Sequence, residues 1–364
     1  MIRVICLAAI LLFQPLSLNA QKRPPKKPKP VNSLLMVGGT PQHIKGINLT
    51  WLNGAYGHDF GHLPNHPDWG ISFNEPDLTN YFSDMRRMDL NVVRIFVFED
   101  LEGLVFDKDG YVTGLDPTLL SNFDKAMKIA REKKLHLYLS LANNFSKACV
   151  RSNYKNIIVN QIARSRYVEN AVKPFAKRYK EDNTIFAFEV MSEPEHEVAG
   201  DRGNWTKDGC SWEQMRAFIK HNVGAIHSVD KRRMVSCGSG WHSYENLKDG
   251  YYNNLGFDFY DYHERLNDDY RALPVAELNL DRPVIIGEFN IPPDQNYGEE
   301  RQKREFAEFL QKIKANGYVG ALVWNYDFPG QHEKESKELS MLRGDGSAEW
   351  KPACYILRDF KWKD

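Results

Sequence analysis

Two glutamates stand where a side chain could do chemistry. The stretch IFAFEVMSEP over 185–194 is an apolar run that ends in Glu193 followed by Pro194. Phe186, Phe188 and Val190 alternate with Ala187, Glu189 and Met191 over too few residues for a helix, so the spacing predicts a strand buried on both faces. Pro194 cannot continue a ladder and biases Glu193 towards an extended backbone, which predicts a carboxylate at the rim of a sheet. PVIIGEF over 283–289 repeats the arrangement and delivers Glu288 from a second strand end. Two carboxylates on two strand ends are the minimum equipment for cleaving a glycosidic bond. Asn74-Glu75-Pro76 has the same local shape, but it follows no strand and precedes a helical pattern at Leu78, so it reads as a helix start.

The elements that must hold these groups repeat along the chain. Apolar runs lie at 44–51, 91–98, 135–143, 185–193, 234–240, 258–263, 283–289 and 320–327. Helical patterns fall between most of them, at 119–134, 162–179, 212–229 and 301–315, with apolar residues three and four apart and charges on the other face. Eight strands alternating with helices and no break in composition predict an α/β fold with a single-domain (β/α)₈ TIM barrel. The weakest unit is 241–257, a short connection without a clear helical pattern. With 364 residues, 42% hydrophobic and 12% aromatic, the chain can bury one large core.

Forty-eight basic and 48 acidic residues cancel, which argues against a nucleic-acid partner, because neutralising phosphates needs a basic excess. Residues 1–20 carry Arg3, an apolar run over 4–13 too short to span a bilayer, and the small Ala20, the pattern of a cleavable signal peptide. Residues 21–33 are a basic linker rich in Pro and Lys, and 34–364 the expected catalytic domain. A secreted or periplasmic monomer without a membrane span is the expectation.

Four cysteines follow the leader. Cys149 and Cys210 fall after the third and fourth runs and could be bridged, whereas Cys237 and Cys354 read as buried thiols. His58, Asp59, His62 and His66 cluster after the first run, but the surrounding glycines and prolines give a loop without ligand spacing, so neither metal nor cofactor is expected.

KEDNTIFAFEVMSEPE (180–195) resembles the acid/base segment of glycoside hydrolase family 5, especially its endo-β-1,4-mannanases. LHLYLSLANNF (135–145) is similar to the third-strand segment of those enzymes. GINLTWL (46–52), NVVRIFVF (91–98), DYHE (261–264), IGEF (286–289) and ALVWNYD (321–327) follow in the order of the wider clan A of retaining glycosidases. The resemblance implies that Glu193 is the acid/base, Glu288 the nucleophile, and Arg94 the arginine that holds the nucleophile ionised. It implies sugar-binding roles for Asn143 or Asn144, for His263 on the sixth strand, and for Trp324 under the innermost sugar. Two departures stand out: Ser192 replaces the family Asn that bonds a 2-hydroxyl, and His263-Glu264-Arg265 replaces His-x-Tyr. Tyr262 or Tyr260 could supply the missing tyrosine.

Carboxyl groups about 5 to 5.5 Å apart would give retention: Glu288 attacks the anomeric carbon, Glu193 protonates the leaving oxygen, and Glu193 then activates water. Like charges that close do not both ionise easily, so Glu193 is expected to keep its proton while Arg94 favours the Glu288 anion. Trp51, Trp69, Trp205 and Trp241 offer flat faces for sugar rings, which favours endo action on a polysaccharide. The sequence thus reads as a secreted retaining β-glycanase with β-mannan as first substrate. The alternatives are a β-1,4-glucanase or another clan A β-glycanase, a transglycosylase on the same residues, and a catalytically silent carbohydrate-binding barrel.

Overall fold

The computed structural model describes residues 33–362 apart from 53–56, 205–206, 208, 265–271, 293–297, 328–339 and 344–348. The leader, most of the linker, Trp205 and Arg265 therefore lie outside the described residues. Eight parallel strands close into a barrel: Ile44–Asn48, Val92–Phe96, His136–Ser140, Ile185–Ser192, Met234–Ser239, Tyr260–His263, Val284–Phe289 and Gly320–Val323. They pair in chain order, and the eighth closes on the first through Gly320 opposite Ile44. Each of the eight apolar runs contains one of these strands.

The helices begin where local chemistry supplies a partner for unpaired backbone donors. Asn74 caps Glu75–Arg87 by accepting from the Asp77 N–H, with Pro76 in the first turn. Asp116 caps Pro117–Glu132 in the same way, and Ser211 with Gln214 forms a reciprocal capping box for Trp212–Val229. Such a cap stabilises a helix by about 1 kcal/mol. The helix expected over 162–179 is broken into Gln161–Tyr167, a π-helical turn at Val168–Val172, and Lys173–Arg178. Pro174 lacks the N–H that an unbroken ladder would need there, and the wider turn absorbs the mismatch. In the weak unit, a short helix does form at Ser243–Lys248.

Two antiparallel hairpins add to the barrel: Leu35–Val37 with Thr40–Gln42, and Leu104–Phe106 with Val112–Leu115. Leu35 and Val37 of the first pack with Ile44, Val92, Tyr138, Phe186, Phe259, Ile285 and Leu322, so the hairpin plugs the N-terminal end of the barrel with hydrocarbon. A larger cluster fills the layer between strands and helices. Among the described residues, no helix is long and apolar enough to cross a membrane. All four described cysteines are buried free thiols, so Cys149 and Cys210 are not bridged. Burial pushes each of these two thiols up to about 12.

Candidate active site

The C-terminal mouth of the barrel is built on a buried charge network. Arg94, on the second strand and sealed from solvent, donates through Nε and Nη2 to both oxygens of Glu189 at 2.8 and 3.0 Å. Its Nη1 reaches Glu288 Oε1 at 2.5 Å and Asn48 Oδ1 at 2.9 Å, and Nη2 also donates to Ser192 Oγ at 2.8 Å. One guanidinium thus orders the ends of the first, fourth and seventh strands. Asn48 is held in turn by donating to the carbonyls of Gly287 and Val323. Glu189 is a main partner that the sequence reading did not assign. The signal was there, since a charge inside an apolar strand must find a counter-ion.

Strand pairing shifts register between Glu189 and Ser192, between Tyr262 and His263, and between Ile286 and Phe289. Such irregularities re-aim side chains, and here they fall where Ser192, His263 and Glu288 meet the cleft. Glu193 follows directly, and its backbone corrects the expectation: it is left-handed, with φ 43° and ψ 61°, not extended. The proline behind it disfavours the right-handed helical region, and the Glu193 N–H bond to the Gly238 carbonyl at 2.9 Å fixes the turn. Gly240 leaves the space that the Glu193 carboxyl occupies, because a side-chain carbon there would collide with it.

His263 bridges the two carboxylates. Its Nδ1 lies 3.0 Å from Glu193 Oε1 and 3.5 Å from Glu288 Oε1. Taken one atom each, Glu193, His263 and Glu288 converge within 4.8 Å of one another. That proximity brings an oxygen of each carboxylate to the same point in the cleft, as a retaining pair requires. Burial disfavours a charge on His263, yet Glu288, Asp261 and Glu193 outweigh it and carry the imidazole well above its ordinary pKa. Burial raises the Glu288 carboxyl, His263 and Arg94 pull it down, and Glu193 pushes it up again, with a net rise. The Arg94 and His263 contacts favour the Glu288 anion, but burial and Glu193 outweigh them, so the net shift runs against the expected preference for the anion.

The cleft above this pair has a volume of about 560 Å³. Asn143, Asn144, Ser192, His263, Trp51 and Trp324 all line it, with Lys147, His196, Glu197 and Asn290. Trp51 meets Trp324 edge to face at 5.9 Å. The Trp51 indole N–H and the Asn143 amide both donate to Glu99, each at 2.7 Å. Burial pushes that carboxyl to about 8 against these two bonds. Asn144 instead donates to Asp100.

Four residues expected at the site, Tyr260, Tyr262, Trp241 and Trp69, do not line the cleft. Tyr262 packs into the apolar layer near Tyr318, and the Tyr260 hydroxyl donates to Asp281, so neither replaces the missing tyrosine beside Glu288. Alternation along the strand turns both outward and puts Asp261 and His263 on the inner face. The Trp241 ring packs edge to face against the cleft residue His196 at 4.9 Å. His196 was not singled out from the sequence, yet its Nε2 lies 2.8 Å from Glu193 Oε2. In the histidine loop, His66 and His58 pack on the half-exposed Trp69, His62 pairs with Asp116, and Asp59 accepts the Leu52 N–H.

A closed (β/α)₈ barrel with paired carboxylates at its mouth is the architecture of an O-glycoside hydrolase. No family model matches the chain. The mannan endo-1,4-beta-mannosidase of Mytilus edulis is 26% identical over 319 residues, covering 78% of this chain and 83% of the relative. That of Cryptopygus antarcticus is 25% identical over 334 residues, covering 80% and 82%. Among solved structures, the endo-1,4-beta-mannanase of Eisenia fetida superposes with a TM-score of 0.65 at 23% identity, over 90% of this chain and 99% of its own. A family GH5_18 variant from Streptomyces cattleya, in complex with Manb1-4GlcNAc, gives 0.66 at 13% identity over 82% and 78%. The chain is thus similar in sequence to mannan endo-1,4-beta-mannosidases and shares the fold of the solved mannanases.

Proposed function

We propose that this chain is an endo-acting β-mannan hydrolase that works with retention of configuration, and the observation that carries this is the convergence of Glu193, His263 and Glu288 within 4.8 Å. Glu288 is the nucleophile: Arg94 and His263 hold its carboxylate on one side, and the cleft leaves the other open to an anomeric carbon. Glu193 protonates the leaving oxygen, and then takes a proton from the water that releases the sugar. Trp324 and Trp51 are the flat faces on which rings rest, and Asn143, Asn144 and Asn290 supply polar contacts around them. Ser192 bonds Arg94 with its hydroxyl, and so contributes to holding the charge network as well as to the cleft wall.

The same reading takes residues 1–20 as an export leader, 21–33 as a spacer and the remainder as one monomeric catalytic domain without a nucleic-acid partner. A panel of soluble β-mannan, β-glucan and xylan, assayed for reducing ends and product length, tests it. Short manno-oligosaccharides released from within the β-mannan chain are expected. Activity confined to β-glucan would transfer the reading to a glucanase, and silence on every polymer would leave a binding barrel.

A further inference from the structure

Beneath the carboxylate pair, two buried polar atoms face each other. Asp261 Oδ1 and His263 Nε2 lie 3.7 Å apart, and neither makes another hydrogen bond among the described residues. The second oxygen of Asp261 accepts from the buried Tyr138 hydroxyl at 2.8 Å, which fixes the carboxylate plane. Two glycines make the room. A side-chain carbon at Gly287 would collide with the Asp261 carboxylate, and one at Gly238 with the His263 ring edge and Glu189. The opposite ring nitrogen, Nδ1, is the one that faces Glu193 and Glu288.

We propose that Asp261 is a positioning residue that keeps a proton on His263 Nε2 and makes the imidazole a fixed Nδ1–H donor to Glu193 Oε1, so that the catalytic proton is carried on Oε2, the oxygen that His196 Nε2 meets at 2.8 Å. This rests on Glu193 being the acid/base. A buried carboxylate oxygen with no other donor is costly, and a ring proton on Nε2, 3.7 Å away, offsets part of that cost by charge attraction. Were Nε2 bare, two acceptors would oppose each other in a dry site. The groups around the ring are Asp261 on its own strand, Glu189 and Glu193 from the fourth, Glu288 from the seventh, Tyr138 from the third and Arg94 from the second. Carboxylates predominate, so the ring is favoured with both nitrogens protonated. A cationic donor at Nδ1 suits both halves of the cycle. While Glu193 holds its proton on Oε2, Oε1 still accepts, and once that proton has left, the imidazolium stabilises the new carboxylate.

Nitrogen-15 NMR of the His263 ring in the intact protein between pH 5 and 8, assigned by its absence from His263→Asn, is the direct test. Both ring nitrogens are expected to stay protonated in the parent, and Asp261→Asn is expected to lose one ring proton within that window. With the positive charge gone from beside Glu288 and Glu193, both limbs of the pH profile of kcat/KM on soluble mannan should move up by about one unit. That shift is about a tenfold loss on the acid side. A parent ring that loses a proton between pH 5 and 8 overturns the proposal, even if the variant fails to fold. So does a folded Asp261→Asn protein with an unmoved profile. Full activity of Glu193→Gln would sink the acid/base reading instead, and leaves the ring measurement standing.

Discussion

The two ends of this barrel are built from opposite materials. At the N-terminal end, Leu35 and Val37 close a plug of hydrocarbon side chains. Towards the C-terminal end the same strands carry Asn48, Arg94, Glu189, His263 and Glu288, most of them sealed from water. Burying charge costs free energy even when it is paired, whereas burying hydrocarbon contributes it. The lower layer therefore offsets an upper layer chosen for chemistry, and substitutions at the two ends should fail in different ways.

The sharpest contrast is expected at Glu193. Glu193→Gln keeps shape but removes the proton, and kcat on soluble mannan should fall on the order of 10²- to 10⁴-fold with thermal unfolding nearly unchanged. Arg94→Ala should blur the contrast, because it strands Glu189 as a buried unpaired charge. A loss of about 3 to 5 kcal/mol in urea unfolding is expected together with the loss of activity. At the plug, Leu35→Ala should cost about 2 to 5 kcal/mol of stability, and the folded fraction should keep the parent kcat. A parent-like stability there would show that the hairpin does not support the barrel.

The smallest effect concerns Glu99, which pins Trp51 and Asn143 at the rim. Its folded pKa of about 8 lies above the ordinary 4.5, so the folded state binds this proton more tightly than the unfolded chain does. Its contribution to stability is full below about pH 4.5 and is lost as pH rises towards 8. Glu99→Gln removes that titration. The melting temperature of the variant should change less between pH 5 and 8 than that of the parent, and an equal change would show that Glu99 stays ionised throughout.

Much of this design was legible in the sequence, because the barrel strands are continuous apolar runs. Glu193 and Glu288 end such runs, and a charge at the end of a buried strand carries its own signal. What was not legible depends on contacts between distant segments. Glu189 and Arg94 each announce a buried charge, but nothing in either strand says that they pair. The pre-proline rule excludes one backbone region for Glu193 without choosing between the others, and the left-handed turn is chosen by a bond to Gly238 on the next strand. Tyr262 and His263 are strand neighbours, and alternation alone sends one outward and the other into the site, so this much was legible. Ser192 reads as a shortened sugar contact until the Arg94 bond to its hydroxyl is seen.

The central claim is that Glu193 and Glu288 act as a retaining pair, and proton NMR of the first product released from β-mannan tests it most directly. The signal of the β-anomeric reducing end should rise first, with the α-anomer following only as mutarotation proceeds. An α-anomer that appears first would mean direct attack by water, and would contradict a nucleophilic role for Glu288.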